Sequence, residues 1–163
     1  MQFIARAGNG PAVVLDSGEG GSGPSPMEMV LIGVAGCSAI DIIMIMGKKR
    51  VAVTDFQVNI SGERAEEYPQ RYTEIHIEYV LQGKGIKPKA VEQAIRLSET
   101  KYCGAMASLN TDFETTYRIV DEWKAKRRTA EYRITNFEGL NRCALSIVFS
   151  LIDRIPSFDI RFF

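Results

Sequence analysis

The chain has one histidine in 163 residues, one tryptophan and three cysteines, and its formal net charge is zero. Each scarcity excludes something. His76, the single imidazole, falls on the polar side of an alternating stretch between Glu74 and Glu78, which reads as a surface position. That largely removes Ser-His-Asp and Cys-His catalysis, which need a base within hydrogen-bond reach of the nucleophile. No CxxC, no HxxxH and no His/carboxylate cluster occurs, and Cys37 and Cys103 are far apart in sequence, so no metal site is expected. An odd cysteine count without a secretory leader (Met1-Gln2-Phe3-Ile4 has neither a charged nor an apolar leader region) points to a reducing cytoplasm rather than a disulfide framework. Zero net charge gives no reason to invoke nucleic acid or acidic partners. The balance is uneven, however: residues 1–123 carry 12 Lys/Arg against 16 Asp/Glu, and residues 124–163 carry 8 against 4. Long apolar runs are also missing. The best one, Val30–Met46, is broken at Asp41 after about eleven residues, short of the roughly 20 that a span needs.

What is present centres on one stretch. Ser25 followed by Glu28 is a capping box, in which hydroxyl and carboxylate each satisfy a backbone N–H at a helix start. Pro26 sits at the first helical position, where its missing N–H costs nothing. The following turns are apolar on every face, which predicts a buried central helix. It is expected to stop at Gly47, with Lys48, Lys49 and Arg50 offsetting the negative end of the dipole. Gly33, Ala35, Gly36, Ser38 and Ala39 crowd around Cys37. Such small residues let another backbone approach closely.

Around this helix the patterning is of period two. Gln2–Ala5 and Ala12–Leu15 read as a hairpin about Gly8-Asn9-Gly10. Asp16–Pro24 is a Gly/Ser-rich loop, and its Gly18-x-Gly20-Gly21-x-Gly23 lacks the strand and downstream acid of a dinucleotide site. Asp55–Glu63 places Phe56, Val58 and Ile60 on one side; Arg71–Leu81 does the same with Ile75, Ile77, Tyr79 and Leu81. Pro88–Leu97 is an amphipathic helix, Cys103–Leu109 a short third one, and Asp112–Val120 a last strand. The expected class is α+β, an antiparallel sheet packed on a long central helix. The first domain is placed at residues 1–122. Residues 123–163 form an extension expected to be poorly ordered; its Lys124–Arg128 is a basic run, and Ile152-Asp153-Arg154-Ile155 is echoed by Phe158-Asp159-Ile160-Arg161.

The chemistry is left to the thiols. A buried cysteine is most often an inert small hydrophobe. Cys103 stands at a helix start two residues after Lys101, which favours a thiolate. Asp41 lies one turn beyond Cys37 on the same face, and an anion there opposes ionisation of that thiol. A nucleophilic Cys37 therefore needs a positive group from elsewhere.

Pro24-Ser25-Pro26-Met27-Glu28-Met29-Val30-Leu31, Gly36-Cys37-Ser38-Ala39-Ile40-Asp41 and Lys101-Tyr102-Cys103 resemble the OsmC/Ohr family, specifically its YhfA-like branch, over residues 1 to about 122. The resemblance implies an intertwined homodimer with swapped sheets and central long helices. It implies a thiol peroxidase for organic hydroperoxides, with Cys37 peroxidatic and Cys103 resolving through a disulfide. No bound cofactor is implied; the reductant would be a dithiol of the lipoyl type. The sequence departs from the family at two points. Met27 occupies the position of a glutamate ten residues before the peroxidatic cysteine, and Asp16–Pro24 holds no activating arginine. Glu28 is accordingly read chiefly as a cap, with Arg6 or Arg50 as stand-ins for the cation. Glu28 and Asp41 are the polar residues expected behind the thiol, while Met29, Leu31 and Ile40 are expected to line an apolar substrate pocket. Measured against the family the amino terminus is one strand short, so the start is expected upstream; the tail, with Cys143, has no counterpart. The alternative function is a non-catalytic dimer that binds a small apolar ligand or senses oxidation.

Overall fold

The computed structural model describes residues 1–8, 10–17 and 21–120, and the backbone of 142–147. Gln2–Arg6 (β1) and Ala12–Asp16 (β2) pair antiparallel as a two-stranded sheet of their own, with Phe3 opposite Leu15. The long helix α1 runs Pro26–Lys48. Asp55–Arg64 (β3), Tyr72–Gln82 (β4), Asp112–Val120 (β5) and Arg142–Ile147 (β6) form the main sheet in the order β5-β4-β3-β6. Pro88–Leu97 (α2) leads through a π-turn at Ser98–Tyr102 into the single turn Gly104–Ala107 (α3).

The α+β class read from the sequence is the one observed. The alternation predicted for β3 and β4 is realised residue by residue: Phe56, Val58, Ile60, Ile75, Ile77, Tyr79 and Leu81 are all buried. They meet Leu31, Val34, Ala35, Ile42 and Met46 from α1 and Val91, Ala94 and Ile95 from α2 in one core. The register sets Phe56 opposite Leu81, Val58 opposite Tyr79 and Ile60 opposite Ile77. Phe56 and Tyr79, on diagonal positions, stack with ring centroids 6.1 Å apart. Gly62 has a specific reason to be glycine. A Cβ there would sit 2.7 Å from the Tyr72 ring, and that ring carries its hydroxyl to the Met27 carbonyl at 2.9 Å, anchoring the first turn of α1 to β4.

Four features differ from the sequence reading. One strand pair, β4 with β5, is parallel while the rest are antiparallel; a parallel neighbour needs a long crossover, and α2 through α3 supply it. Next, α1 does not stop at Gly47. It closes in a Schellman motif, with Arg50 N–H to Gly47 O at 2.9 Å and Val51 N–H to Met46 O at 3.1 Å. The left-handed residue that this motif needs is Arg50, at φ 56°, where glycine is usual. The π-turn after α2 was also not anticipated. Finally, β6 pairs antiparallel with β3 inside the extension, where no strand was expected. The basic run, the repeated Ile/Phe segment and Gly18–Gly20 lie outside the described residues, and Cys143 falls on β6, of which only the backbone is described.

By length and composition α1 passes as a membrane span, with 39% of its apolar window buried inside the chain. The buried residues lie on the face that meets the sheet and α2. On the opposite side Gly33, Ile40, Met44 and Gly47 are exposed, Ile40 at 63%.

Candidate functional site

Cys37 and Asp41 are one helical turn apart on α1, at the seam between its buried and uncovered faces, and both are half-buried. Across the seam lies the end of α2. There the π-turn inserts one residue into the helical ladder, so that Cys103 N–H donates to Ser98 O at 2.8 Å. Such a bulge turns the following residues relative to the helix that precedes them. Cys103 becomes the N-cap of α3, its Sγ accepting from Met106 N–H at 3.5 Å. At the other end of the same turn Ser98 Oγ donates to Asp41 Oδ2 at 3.1 Å. One irregular turn therefore both holds the Asp41 carboxylate of α1 and sets the Cys103 thiol beside it. Both cysteines are free, and Cys37 Sγ, Cys103 Sγ and an Asp41 carboxylate oxygen all lie within 4.8 Å of one another.

The electrostatics correct one expectation. Cys103 was read as a favoured thiolate, and the N-cap hydrogen bond that would favour it is present. Burial outweighs it, and the adjoining Cys37 thiol adds to burial, so that Cys103 is pushed up to about 11. Lys101 does not intervene. Its ammonium lies over the Tyr102 ring, 5.3 Å from the centroid, on exposed surface. Among the described residues no salt bridge reaches Asp41. The thiol pair and the carboxylate thus share a site to which no described cation is bound.

Tyr79 completes the surroundings. Its side chain is wholly buried, and its hydroxyl has no hydrogen-bond partner among the described residues. The nearby Ser38 hydroxyl favours ionisation of Tyr79, but it is turned back along its own helix and donates to Ala35 O at 3.2 Å. Burial dominates and raises the phenol well above its ordinary value, and Glu99, Cys103 and Asp41 push in the same direction.

The remaining predicted residues are placed apart from this cluster. Glu28 closes the capping box, accepting from Ser25 N–H at 2.6 Å while Ser25 Oγ accepts from Glu28 N–H at 3.2 Å. It sits nine residues before Cys37, about 13 Å along the helix axis. Leu31 is fully buried in the core, Met29 is half-buried, and Ile40 is on the uncovered face. His76 Nε2 is 3.2 Å from Thr116 Oγ1 on the outer side of the sheet. Sequence reasoning missed Ser98 and Tyr79. An inward tyrosine was itself a signal, because a buried phenol ordinarily finds a partner; Ser98 gave none.

With this geometry in hand, comparison with known proteins gives a consistent result. A family model described as OsmC-like protein matches residues 18–118. The chain is 37% identical over 117 residues to the protein YhfA of Escherichia coli K12, covering 72% of this chain and 87% of that protein. It is similar to a crystal structure of a hypothetical protein from Aquifex aeolicus, with 30% identity, TM-score 0.61 and coverage of 76% and 97%. It also shares its fold with an organic hydroperoxide resistance protein OsmC from Legionella pneumophila, with 11% identity, TM-score 0.51 and coverage of 72% and 96%.

Proposed function

From the premise that this chain belongs to the OsmC-like protein family, we propose that it is a thiol peroxidase that reduces organic hydroperoxides. The observation that carries this reading is the free Cys37/Cys103 pair with sulfurs within 4.8 Å. The Cys37 thiolate attacks the O–O bond of ROOH, and with one proton taken up the products are a Cys37 sulfenic acid and ROH. The Cys103 thiol then condenses with the sulfenic acid, forming the Cys37–Cys103 disulfide and releasing water. A dithiol of the lipoyl type restores both thiols and is itself oxidised to a disulfide. The order of attack follows from burial. Cys37 is half-buried, whereas Cys103 is 3% exposed and held as a neutral thiol. An apolar substrate would lie along the uncovered side of α1, with Ile40 and Met29 beside it.

The working form in this reading is a homodimer in a reducing cytoplasm. Gly33, Gly36 and Gly47 line the uncovered side of α1, and a Cβ at any of the three would meet no described atom within 4 Å. None of the described residues demands glycine there, and glycine inside a helix costs about 1 kcal/mol against alanine. A second α1 packed closely on this face supplies the reason. The hairpin points the same way: every residue of β1 is exposed, Phe3 at 55% and Ile4 at 74%, and a lone two-stranded sheet is marginal in water.

One observation favours the second reading, a dimer that binds an apolar ligand or senses oxidation slowly. No described cation is bound to the site, so the thiolate lacks its usual stabiliser. Stopped-flow oxidation of the reduced protein by cumene hydroperoxide and by hydrogen peroxide separates the two, with Cys37→Ser and Cys103→Ser beside it. A fast Cys37–Cys103 disulfide, quicker with the organic peroxide and absent in both variants, supports the peroxidase. Oxidation at the rate of a free thiol discards it in favour of the binder.

A further inference from the structure

Asp41, Ser98 and Tyr79 have no part in the peroxide chemistry, yet they converge on its two thiols. Asp41 is not an idle surface acid, since a buried hydroxyl from another helix is spent on orienting its carboxylate. Among the described residues the Tyr79 hydroxyl, at 0% exposure beside Ser38, Cys103 and Asp41, has no partner in hydrogen-bonding geometry. Buried polar atoms are nearly always satisfied, and one that is not marks a missing neighbour. Every ionisable group in this cluster becomes an anion on losing its proton, and none of the described lysines or arginines is paired with it. The described part of the site therefore gathers groups that ionise to anions and brings no cation to them.

We propose that Cys37, Asp41 and Cys103 form a zinc-binding site, with Ser98 and Tyr79 as its outer shell. Two thiolates and a carboxylate are donors suited to Zn²⁺, which is borderline-soft and takes sulfur at about 2.3 Å and oxygen at about 2.0–2.2 Å. Tetrahedral angles at those lengths set the donors roughly 3.4–3.8 Å apart. Donors that already stand within 4.8 Å of one another close around the ion by about 1 Å, within the reach of side-chain rotation. Three protein ligands leave a fourth position for water, the arrangement of open rather than structural zinc sites. Binding expels the two thiol protons to solvent and leaves the carboxylate ionised. Ser98 Oγ–H already holds Asp41 in place, the second-shell role that orients a metal-bound carboxylate. The Tyr79 hydroxyl gains an acceptor in a metal-bound sulfur or water. Sequence spacing hid the site, because its donors come from the middle of α1 and from the N-cap of a single-turn helix some sixty residues on.

This inference stands apart from the peroxidase reading, since it needs thiols but no peroxide reactivity. Its test is made on the reduced full-length chain with no oxidant present. Co²⁺ and Zn²⁺ are titrated in competition with a chromophoric chelator. One ion per chain is expected, bound at micromolar concentration or tighter, with the Co²⁺ form showing sulfur-to-cobalt charge transfer and the strong visible bands of a tetrahedral site. Cys37→Ser and Cys103→Ser lose the charge-transfer band in part and weaken binding by at least about 100-fold; Asp41→Asn and Ser98→Ala weaken it by about 10-fold or more. Cys143→Ser leaves it unchanged. A wild-type cobalt spectrum without thiolate bands overturns the site before any variant is made. So does affinity indifferent to Asp41→Asn, or affinity that follows Cys143.

Discussion

The two sides of α1 are built from similar residues and live in different circumstances. Leu31, Val34, Ile42 and Met46 are sealed against the sheet at 0–1% exposure. One or two residues further round the helix, Ile40 and Met44 are 63% and 52% exposed, flanked by glycines with open space over their α-carbons. The first side is explained by the described residues, which pack these side chains into one core with β3, β4 and α2. The second is the face that the proposed partner helix would cover. Cys37 and Asp41 sit on the border between the two, so the proposed reactivity falls where a packed core meets an exposed apolar face. A thiol deep in the core would be inert, and one on an ordinary surface would lack its partner thiol.

The largest expected effect tests the sealed side. Ile42→Ala should cost about 2–5 kcal/mol of unfolding free energy in urea, the usual loss for a fully packed isoleucine. Ile40→Ala, on the same helix, should cost under about 1 kcal/mol when measured at protein concentrations low enough to keep the chain monomeric. Equal losses in the monomer would break the distinction between the two sides.

Next in size is the contrast between the two thiols at the border. Burial holds Cys103 neutral up to about 11, against an ordinary 9.0. At pH 8 it should therefore carry about a hundredfold less thiolate than an ordinary cysteine. Iodoacetamide labelling followed by mass spectrometry, on chelator-treated protein, should show Cys103 modification rising only above pH 10. The same shift sets a sign for stability. The folded state holds this proton more tightly than the unfolded chain, so the contribution is whole below pH 9 and is lost as the pH climbs towards 11. Labelling of Cys103 with an inflection at or below 9 would mean that the buried border is open to water.

The uncovered side is sharpened by Gly36→Leu. A Cβ there meets no described atom within 4 Å, so the monomer should fold as before, with unchanged circular dichroism. If a second α1 lies across this face, the dimer should dissociate by at least about 2 kcal/mol more readily in sedimentation. A leucine variant that still dimerises at the parent concentration removes α1 from the interface.

Legibility in the sequence followed locality. The capping box, the alternation of β3 and β4, and the bounds of α2 and β5 are set by neighbours within a few residues, and they emerged as read. The site was legible as two candidate thiols with Asp41 one turn from Cys37; the separate roles of the thiols came only through a family resemblance. That Ser98 grips Asp41, or that burial defeats the N-cap at Cys103, depends on contacts between segments some sixty residues apart, for which periodicity has no signal. The parallel β4/β5 pairing escaped for the same reason: strand patterning reveals which side is buried, not which direction a neighbour runs. The end of α1 was misplaced for a subtler cause. Gly47 offers the left-handed freedom that ends helices, but the chain spends that conformation on Arg50 instead.

This exchange of roles yields the smallest prediction and ties the helix end to the comparison. An L-residue in the left-handed region is disfavoured by roughly 1–2 kcal/mol. Arg50→Gly removes that strain, but the more flexible unfolded glycine takes back about 0.5–1 kcal/mol. The lost charge at the helix C-terminus takes back a few tenths more at low salt. The net gain should be about 0.5 kcal/mol, clearest in high salt, where the dipole term is screened. Gly47→Ala is its counterpart. Within the helix it should add about 1 kcal/mol to the monomer, because a methyl group there meets no described atom within 4 Å. In a dimer held through the same face, that methyl group has to fit against the partner. Stabilised monomer with weakened association would show that Gly47 is kept for the partner's approach and not for ending the helix. Stabilisation of both would leave the glycine without a role at the interface and confine the close contact to Gly33 and Gly36.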